Sequence, residues 1–282
     1  MIAFKTHTEH FELTGAEGLP LLIDITFPLL EPYPLVIFCH GFKGFKDWGH
    51  FPLIAAIAAK QGVAWLKFNF SHNGTTPLHP ANISEEDTFG KNNFTKELYD
   101  AQTVIDFITA HPVFKSRISS LHMVGHSRGG GIAILAGAAS ARIQSIITWA
   151  SVNEFLNYWS DEEMLNWMKS GVMYIENKRT GQRLPMYYQL VDDYQTNIAA
   201  LHIPNTVKAL HKPMLIIHGM ADEAVPYEKA VHMADWNTVY TKLILLPGAT
   251  HTFGGTHPYT SEKLPADTIQ LLNHTIDFIK NN

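Results

Sequence analysis

The chain has 282 residues, of which 46% are hydrophobic and 17% are charged, and its formal net charge is -5. This length and composition predict one large globular domain with an insertion rather than two domains of equal size. A weakly acidic chain has no electrostatic reason to bind nucleic acid or an anionic membrane, so we expect neither as a partner.

Three features bear on the cellular location. Residues 1–7 lack the basic segment and the long apolar core of a signal peptide, and apolar runs such as residues 54–59 are too short to span a bilayer. The single cysteine, Cys39, excludes an intramolecular disulfide, and its apolar neighbours indicate a core residue rather than a nucleophile. We expect a cytoplasmic protein, and the sequence leaves open whether it forms a homo-oligomer.

Short apolar runs alternate with helical patterns along the chain, which is typical of an α/β fold with a mostly parallel central sheet and helices on both faces. The first two strands are predicted to pair antiparallel, and the continuous apolar run at residues 35–39 suits a central strand buried on both faces. The predicted strands cover residues 4–13, 21–27, 35–39, 63–68, 121–124, 143–149, 214–217 and 243–246. The predicted helices cover residues 51–61, 97–110, 132–139 and 268–279.

Residues 152–210 interrupt this alternation and contain no apolar run typical of a strand. We predict a helical cap, residues 152–210, inserted into a core formed by residues 1–151 and 211–282. The insertion is rich in large side chains, namely Phe155, Tyr158, Trp159, Met164, Trp167, Met168, Met173, Tyr174, Tyr187 and Tyr188. Local packing over the sheet edge explains most of them. An inner face lined by Trp159, Trp167 and Tyr188 would form a substrate pocket.

The segment Gly125-His126-Ser127-Arg128-Gly129 stands between a predicted strand and a predicted helix. This is the context of a Gly-x-Ser-x-Gly nucleophile elbow, a strained turn that lifts the serine hydroxyl above the sheet edge. Glycine suits positions 125 and 129 because a side chain there would collide with neighbouring backbone. His126 points away from the serine on such a turn, which indicates a structural role. Taken alone, the five residues suit a plain strand-to-helix turn equally well.

A serine hydroxyl needs a base to take its proton and an acid to orient that base. Asp222 follows a buried strand, and His251 lies in the loop after the last predicted strand. The order serine, acid, histidine is the one expected for this strand-turn-helix setting, and loops after parallel strands meet at one sheet edge. The alternatives are Glu154 for the acid, and His257 and His72 for the base.

Backbone amides must stabilise the oxyanion of the tetrahedral intermediate. We predict the N–H of Arg128, at the start of a helix, and the N–H of Phe42, after His40-Gly41, as the two donors. The dipeptide His40-Gly41 by itself would equally mark an ordinary strand exit. Sixteen histidines invite a metal site, but none has the His-Glu-x-x-His spacing and there is no cysteine pair. We predict neither a metal nor another cofactor.

Together these motifs resemble the α/β-hydrolase superfamily of serine hydrolases over residues 35–251. The matching segments are VIFCHGFKG, LKFNFSHNG, MVGHSRGGG, LIIHGMADEAVP and LPGATHTF. Within the superfamily the chain is most similar to the group of cinnamoyl and feruloyl esterases, dienelactone-hydrolase-like proteins and small acyl-peptidase-like proteins. The resemblance implies hydrolysis of small-molecule carboxylic esters through an acyl-enzyme. It also implies Ser127, Asp222 and His251 as the triad and the Phe42 and Arg128 amides as the oxyanion hole.

The chain also departs from this group. FNFSHNG replaces the Arg-Gly-His-Gly pattern common at that loop, and Ser127 stands where dienelactone hydrolases proper carry cysteine, which disfavours their activity. RTGQRLP, residues 179–185, looks like a recurring cap element whose purpose the sequence does not reveal. We expect an esterase for small or medium acyl groups. Cleavage of amide, peptide or carbon–carbon bonds by the same triad, or ligand binding without catalysis, are the alternatives.

Overall fold

An eight-stranded sheet forms the centre of the molecule, and a separate two-stranded hairpin lies outside it. The computed structural model describes residues 4–156 and 159–282, so Tyr158 of the predicted aromatic insertion lies outside the described residues. The strands are β1 (Thr6–Thr14), β2 (Pro20–Pro28), β3 (Tyr33–Cys39), β4 (Ala64–Phe68), β5 (Ile118–His126), β6 (Ser145–Trp149), β7 (Val172–Asn177), β8 (Gln182–Tyr187), β9 (Met214–Gly219) and β10 (Thr241–Leu246).

The main sheet has the order β1-β2-β4-β3-β5-β6-β9-β10. Strand β2 pairs antiparallel with β1 and β4, and all other neighbours pair parallel. Strand β3 shows why the centre is buried on both sides: Leu35 and Ile37 contact one core cluster, whereas Val36 and Phe38 contact the other. The mostly parallel sheet predicted from the apolar runs is confirmed.

Helices cover both faces of the sheet. They are α1 (Phe51–Lys60), α2 (Glu86–Gly90), α3 (Phe94–Ala110), α4 (Phe114–Arg117), α5 (Arg128–Ala139), α6 (Asp161–Ser170), α7 (Gln189–Thr196), α8 (Ile198–Leu201), α9 (Ile203–Lys208), α10 (Glu228–Asp235) and α11 (Ala266–Lys280). Helices α1 and α11 contribute to one core cluster, and α3, α5 and α10 contribute to the other. Within the described ranges, no helix combines the length and the apolar character needed to cross a membrane.

Helix α3 begins three residues before the predicted start at Glu97. The Asn93 side chain accepts a hydrogen bond from the N–H of Lys96 and so caps the helix. An N-cap of this kind satisfies one of the free amides of the first turn, which explains why the helix begins at Phe94.

The insertion between β6 and β9 is not built from helices alone. Strands β7 and β8 form an antiparallel hairpin that pairs Tyr174 with Pro185, so the expectation that this segment contains no strand is wrong. A proline within β8 is a poor sequence signal for a strand, yet it is tolerated because each strand of a two-stranded sheet has a free edge. Helices α6 to α9 lie on either side of the hairpin in sequence.

Candidate active site

Ser127 lies on a sharp turn between β5 and α5. Its φ of 56° and ψ of -126° fall in a region that non-glycine residues rarely adopt. A Cβ atom on Gly125 would lie 2.2 Å from the carbonyl oxygen of Gly129, and one on Gly129 would lie 2.3 Å from the carbonyl oxygen of His40. The Ser127 N–H donates to the carbonyl of Trp149 over 2.9 Å. The turn therefore has the conformation of a nucleophile elbow.

Asp222 and His251 meet at the carboxyl edge of the sheet, in the loops after β9 and β10. The Nδ1 atom of His251 lies 2.8 Å from Oδ2 of Asp222. The other carboxylate oxygen, Oδ1, accepts the backbone N–H groups of Ala224 and Val225, each over 2.9 Å. A carboxylate accepts only, so Nδ1 of His251 carries the hydrogen and Nε2 is free to accept a proton.

His218, in β9, supports the same carboxylate. Its Nε2 atom lies 3.1 Å from Oδ2 of Asp222 and 2.9 Å from the carbonyl oxygen of Val225. Burial alone would raise the pKa of Asp222, but hydrogen bonds from His218, His251 and the Val225 amide hold that pKa well below its usual range. Asp222 is therefore anionic at neutral pH. His218 is absent from the predicted site, and its position four residues before Asp222 in LIIHGMAD is the signal that could have found it.

Ser127 and His251 line the same cavity, which has a volume of about 320 Å³. We call it the histidine cavity. Its walls are formed by Gly41, Phe42, Lys43, Gly44, Trp48, Phe51, His126, Ser127, Asn177, Lys178, Arg179, His251, Thr252 and His257. Among the described residues no hydrogen bond joins the Ser127 hydroxyl to His251; contacts of this type commonly tighten when substrate binds.

The alternative acid and the two alternative bases have other contacts. Glu154 is near Lys229, while Asp222 contacts His251. His72 is buried, with Nδ1 2.9 Å from the Ser71 hydroxyl and Nε2 3.1 Å from Glu17. His257 lines the histidine cavity, but its Nδ1 accepts the N–H of Gly49 over 2.8 Å and so is not free to act as a base.

His126 holds the loop that carries His251. Burial lowers the pKa of His126 to about 3, so the ring is neutral. Its Nε2 atom lies 2.9 Å from the carbonyl oxygen of His251 and donates to it. The structural role predicted for His126 agrees with this contact.

The loop after β3 brings Phe42 close to Ser127. A Cβ atom on Gly41 would lie only 3.1 Å from Cβ of Ser127, so glycine permits the close approach. Burial lowers the pKa of His40 to about 4, and its neutral ring donates from Nδ1 to the carbonyl of Gly41 over 2.9 Å while Nε2 accepts the N–H of Phe70. In the described part of the chain the Phe42 N–H donates to no backbone carbonyl.

Arg128 is the first residue of α5, and its backbone N–H therefore has no acceptor within the helix. Its buried guanidinium donates to both carboxylate oxygens of Glu97, over 3.0 and 2.7 Å, and lies between the rings of Phe42 and Phe94 at 4.9 and 4.8 Å. This ion pair joins α3 to α5 beside Phe42 of the loop after β3, although Glu97 enters the sequence prediction as a helix residue alone.

A buried charge cluster anchors the same loop to the sheet. The Lys46 ammonium donates to Oδ2 of Asp24 over 2.6 Å, and Lys67 contacts that oxygen and Asp47. Burial favours the neutral carboxyl, but the two lysines lower the pKa of Asp24 to about 2. This cluster is absent from the sequence prediction because Lys67 lies within the apolar strand β4.

A second cavity of about 180 Å³ also has Ser127 in its wall, and we call it the apolar cavity. Its walls are formed by Phe42, Phe94, Ser127, Arg128, Val152, Phe155, Trp159, Met186, Ala224 and Val225. Trp159 is thus a wall residue of this cavity. Trp167 and Tyr188 are not walls of either cavity, which corrects their assignment.

Trp167 packs against the wall residue Trp159 and is not itself a wall residue. It is fully buried, its indole N–H donates to the carbonyl of Met186 over 2.7 Å, and its ring packs against Trp159 and Tyr188. Sequence composition could not separate a wall from its support, because both are large aromatic residues. Among the described residues, no three His, Cys, Asp or Glu side chains converge to hold a metal ion.

Known structures share this architecture. Est1E from Butyrivibrio proteoclasticus with ferulic acid bound is 22% identical, covers 96% of each chain and superposes with a TM-score of 0.70. Alpha/beta hydrolase domain-containing protein 10 from mouse is 17% identical, with 97% of this chain and 99% of that chain covered and a TM-score of 0.71. Dienelactone hydrolase from Anabaena variabilis is 14% identical, with 98% of each chain covered and a TM-score of 0.65.

No curated protein matches the chain. The model of the BD-FAE family, in contrast, matches residues 23–236, which is most of the sequence. The chain therefore belongs to the BD-FAE family, and it shares the α/β-hydrolase fold with the known structures above.

Proposed function

We propose that the protein is a serine esterase that hydrolyses carboxylic esters of small or medium acyl groups through an acyl-enzyme on Ser127. The observation that carries the proposal is the His251–Asp222 pair, joined over 2.8 Å, on the wall of a cavity that also contains the strained Ser127. An ordinary turn has no need of an ionised carboxylate that orients an imidazole toward it.

The proposed reaction starts with attack of the Ser127 Oγ on the ester carbonyl carbon, while Nε2 of His251 takes the hydroxyl proton. Asp222 keeps the imidazole in the required tautomer and stabilises its charged form. The N–H groups of Phe42 and Arg128 stabilise the oxyanion. His251 then gives the proton to the departing alcohol, and water, activated by the same histidine, releases the acid.

The two cavities divide the substrate between them. His251 must reach the leaving oxygen to protonate it, and His251 lines the histidine cavity, so the alcohol half belongs there. The acyl half belongs in the apolar cavity, whose volume of about 180 Å³ suits a small or medium acyl group. The aromatic walls formed by Phe94, Phe155 and Trp159 favour an aromatic acyl group, and the related Est1E has been observed with ferulic acid.

The first test is Ser127→Ala with nitrophenyl and cinnamate-type esters of graded acyl length. We expect ester turnover to fall by at least roughly 10³-fold, because the nucleophile is lost while the oxyanion donors stay. Ser116→Ala, which changes an exposed serine on α4, should retain full turnover. A serine-reactive phosphonate should label the wild type and not Ser127→Ala.

Near-normal turnover by Ser127→Ala, together with an unlabelled wild type, would contradict the proposal. A matched amide of the best ester substrate separates an esterase from an amidase, since the esterase should cleave the amide far more slowly.

A further inference from the structure

We propose that the preferred substrates carry an anionic oxygen group, a carboxylate or a phosphate, on their alcohol half, and that the turn of the β7–β8 hairpin binds it. The inference rests on the proposed function, because that function places the alcohol half of the substrate in the histidine cavity. The inference also gives a purpose to Arg179, the first residue of the unexplained RTGQRLP element.

Three cationic side chains line the histidine cavity. Lys43 comes from the loop after β3, and Lys178 and Arg179 come from the hairpin turn. No aspartate or glutamate is among the wall residues that the structure describes. Within the same described ranges, neither Lys178 nor Arg179 forms a salt bridge. The described wall residues therefore carry positive charge and include no carboxylate.

The like charges act on one another. Burial lowers the pKa of Lys43, and the charge of Lys178 lowers it further, while Glu176 offsets part of the effect. Burial and the charge of Arg179 lower the pKa of His257 in the same way. Groups that repel one another in this manner are stabilised when an anion lies between them.

Asn177 provides an independent observation. This residue ends β7, is 6% exposed and lines the histidine cavity, yet its side-chain Nδ2 has no hydrogen-bond acceptor among residues 4–156 and 159–282. A buried N–H group without a partner is costly and rare in folded proteins. His257 adds a further donor, because its Nδ1 accepts the Gly49 N–H and its hydrogen is therefore on Nε2.

These groups match one kind of ligand. An anionic oxygen group suits the whole set: its negative charge attracts the two cations of the turn and the lysine of the facing loop, and its oxygens accept from the amide and imidazole N–H groups. The apolar cavity offers no such set, since Arg128 there is already paired with Glu97. The charge preference therefore belongs to the alcohol half alone.

The test compares three aryl acetates that share one acyl group and carry a carboxylate, a phosphate or a neutral methyl ester at the meta position of the phenol. We expect kcat/KM of the wild type to be about tenfold higher for the anionic esters, since each partly exposed charge contact contributes a few-fold. All three esters form the same acyl-enzyme, so kcat should agree among them where deacylation limits the rate. The arm with the larger preference identifies the oxygen anion.

Arg179→Gln and Lys178→Gln should each lower the ratio of anionic to neutral kcat/KM about threefold, and the double variant should bring it close to one. Arg183→Gln, which removes one exposed charge from β8 of the same hairpin outside the cavity wall, is the matched control and should keep the wild-type ratio. Raising the salt concentration to 1 M should lower the wild-type ratio without any substitution, because the screening length shrinks to about 3 Å.

A wild-type ratio of one or less, or a ratio that the double variant and high salt leave unchanged, would overturn the inference while the esterase proposal stands. Absence of Ser127-dependent hydrolysis of every ester would instead contradict the esterase proposal. In that event, calorimetry of benzoate and phenyl phosphate with Ser127→Ala still tests the anion site, and Arg179→Gln must weaken that binding.

Discussion

At Gly129, α5 passes close to the backbone at the end of β3. A methyl group there would lie 2.3 Å from the carbonyl oxygen of His40 and 2.4 Å from that of Cys39, and neither backbone atom can rotate away. We expect Gly129→Ala to lower kcat at least about 10²-fold and the free energy of unfolding by about 2 kcal/mol, because the elbow must shift. Ester kinetics and denaturant unfolding measure the two effects.

Gly137 offers the matched control on the same helix. A methyl group there would lie 2.8 Å from Cγ1 of Ile146, a side-chain atom, so the core can adjust without moving the elbow. Gly137→Ala should keep kcat within about twofold. Equal kcat in the two variants would show that the close approach at Gly129 does not position Ser127.

The proposed triad can be selected from the sequence because the elbow, Asp222 and His251 each follow an apolar strand and occur in a recognisable order. Supporting residues are harder to find. Lys67 and Asp24 are 43 positions apart, and hydrophobic periodicity reports neighbours along one element, not partners across a sheet. A lysine in an apolar strand is a signal, but it does not reveal which carboxylate it meets.

Helices α3 and α5 are joined by the buried Glu97–Arg128 pair. Glu97→Gln would leave the Arg128 charge without its counter-charge, and breaking a buried pair from one side typically lowers the free energy of unfolding by about 3 kcal/mol. We also expect kcat to fall about tenfold, because the guanidinium lies against Phe42, whose N–H is one of the two proposed oxyanion donors. Thermal unfolding and ester kinetics test both effects.

Asp106→Asn, on the exposed side of α3, is the control for the loss of one negative charge and should change the free energy of unfolding by less than about 0.5 kcal/mol. If Glu97→Gln behaved like this control, the ion pair would have no part in holding the two helices.

The β7–β8 hairpin is the element that the sequence pattern does not reveal. The central strands are recognisable because residues such as Ile37 and Phe38 are apolar on both faces. Strands β7 and β8 do not alternate cleanly between apolar and polar residues, β8 contains a proline, and the two strands form a two-stranded sheet. Their pairing therefore depends on contacts with the core rather than on a sequence pattern within each strand. The cation-lined wall follows from that pairing, and composition alone could not place it.

Across the whole molecule, buried neutral histidines couple stability to pH. Burial lowers the pKa of His40, His50 and His122 to about 4 and that of His126 to about 3. Below pH 6.5 these histidines bind protons in the unfolded chain but stay neutral in the folded protein. The folded state therefore keeps its full stability above pH 6.5 and loses stability as the pH falls toward 4. Asp100 opposes the trend, since burial raises its pKa to about 6. Together, these four histidines and Asp100 predict that the free energy of unfolding falls by about 4 kcal/mol as the pH is lowered from 6 to 5.

Thermal unfolding between pH 7 and 5 measures this dependence. His122 lies between the hydroxyls of Ser145 and Ser120, at 2.7 and 2.8 Å, away from both cavities. His122→Gln should reduce the pH slope of the unfolding free energy by about one proton, or 1.4 kcal/mol per pH unit. A wild-type thermal unfolding midpoint that does not change from pH 6.5 to 5 would contradict the assignment of these buried histidines as neutral.

Cys39 is the chain's one thiol and is fully buried at the end of β3, where its own carbonyl oxygen faces Gly129. Burial raises the pKa of this thiol well above its usual value, so the native state protects it from alkylation. A reagent gains access when β3 and α5 separate. The alkylation rate of Cys39 in the unmodified protein therefore reports how often the contact between β3 and α5, next to Ser127, opens. No added label is needed for this measurement.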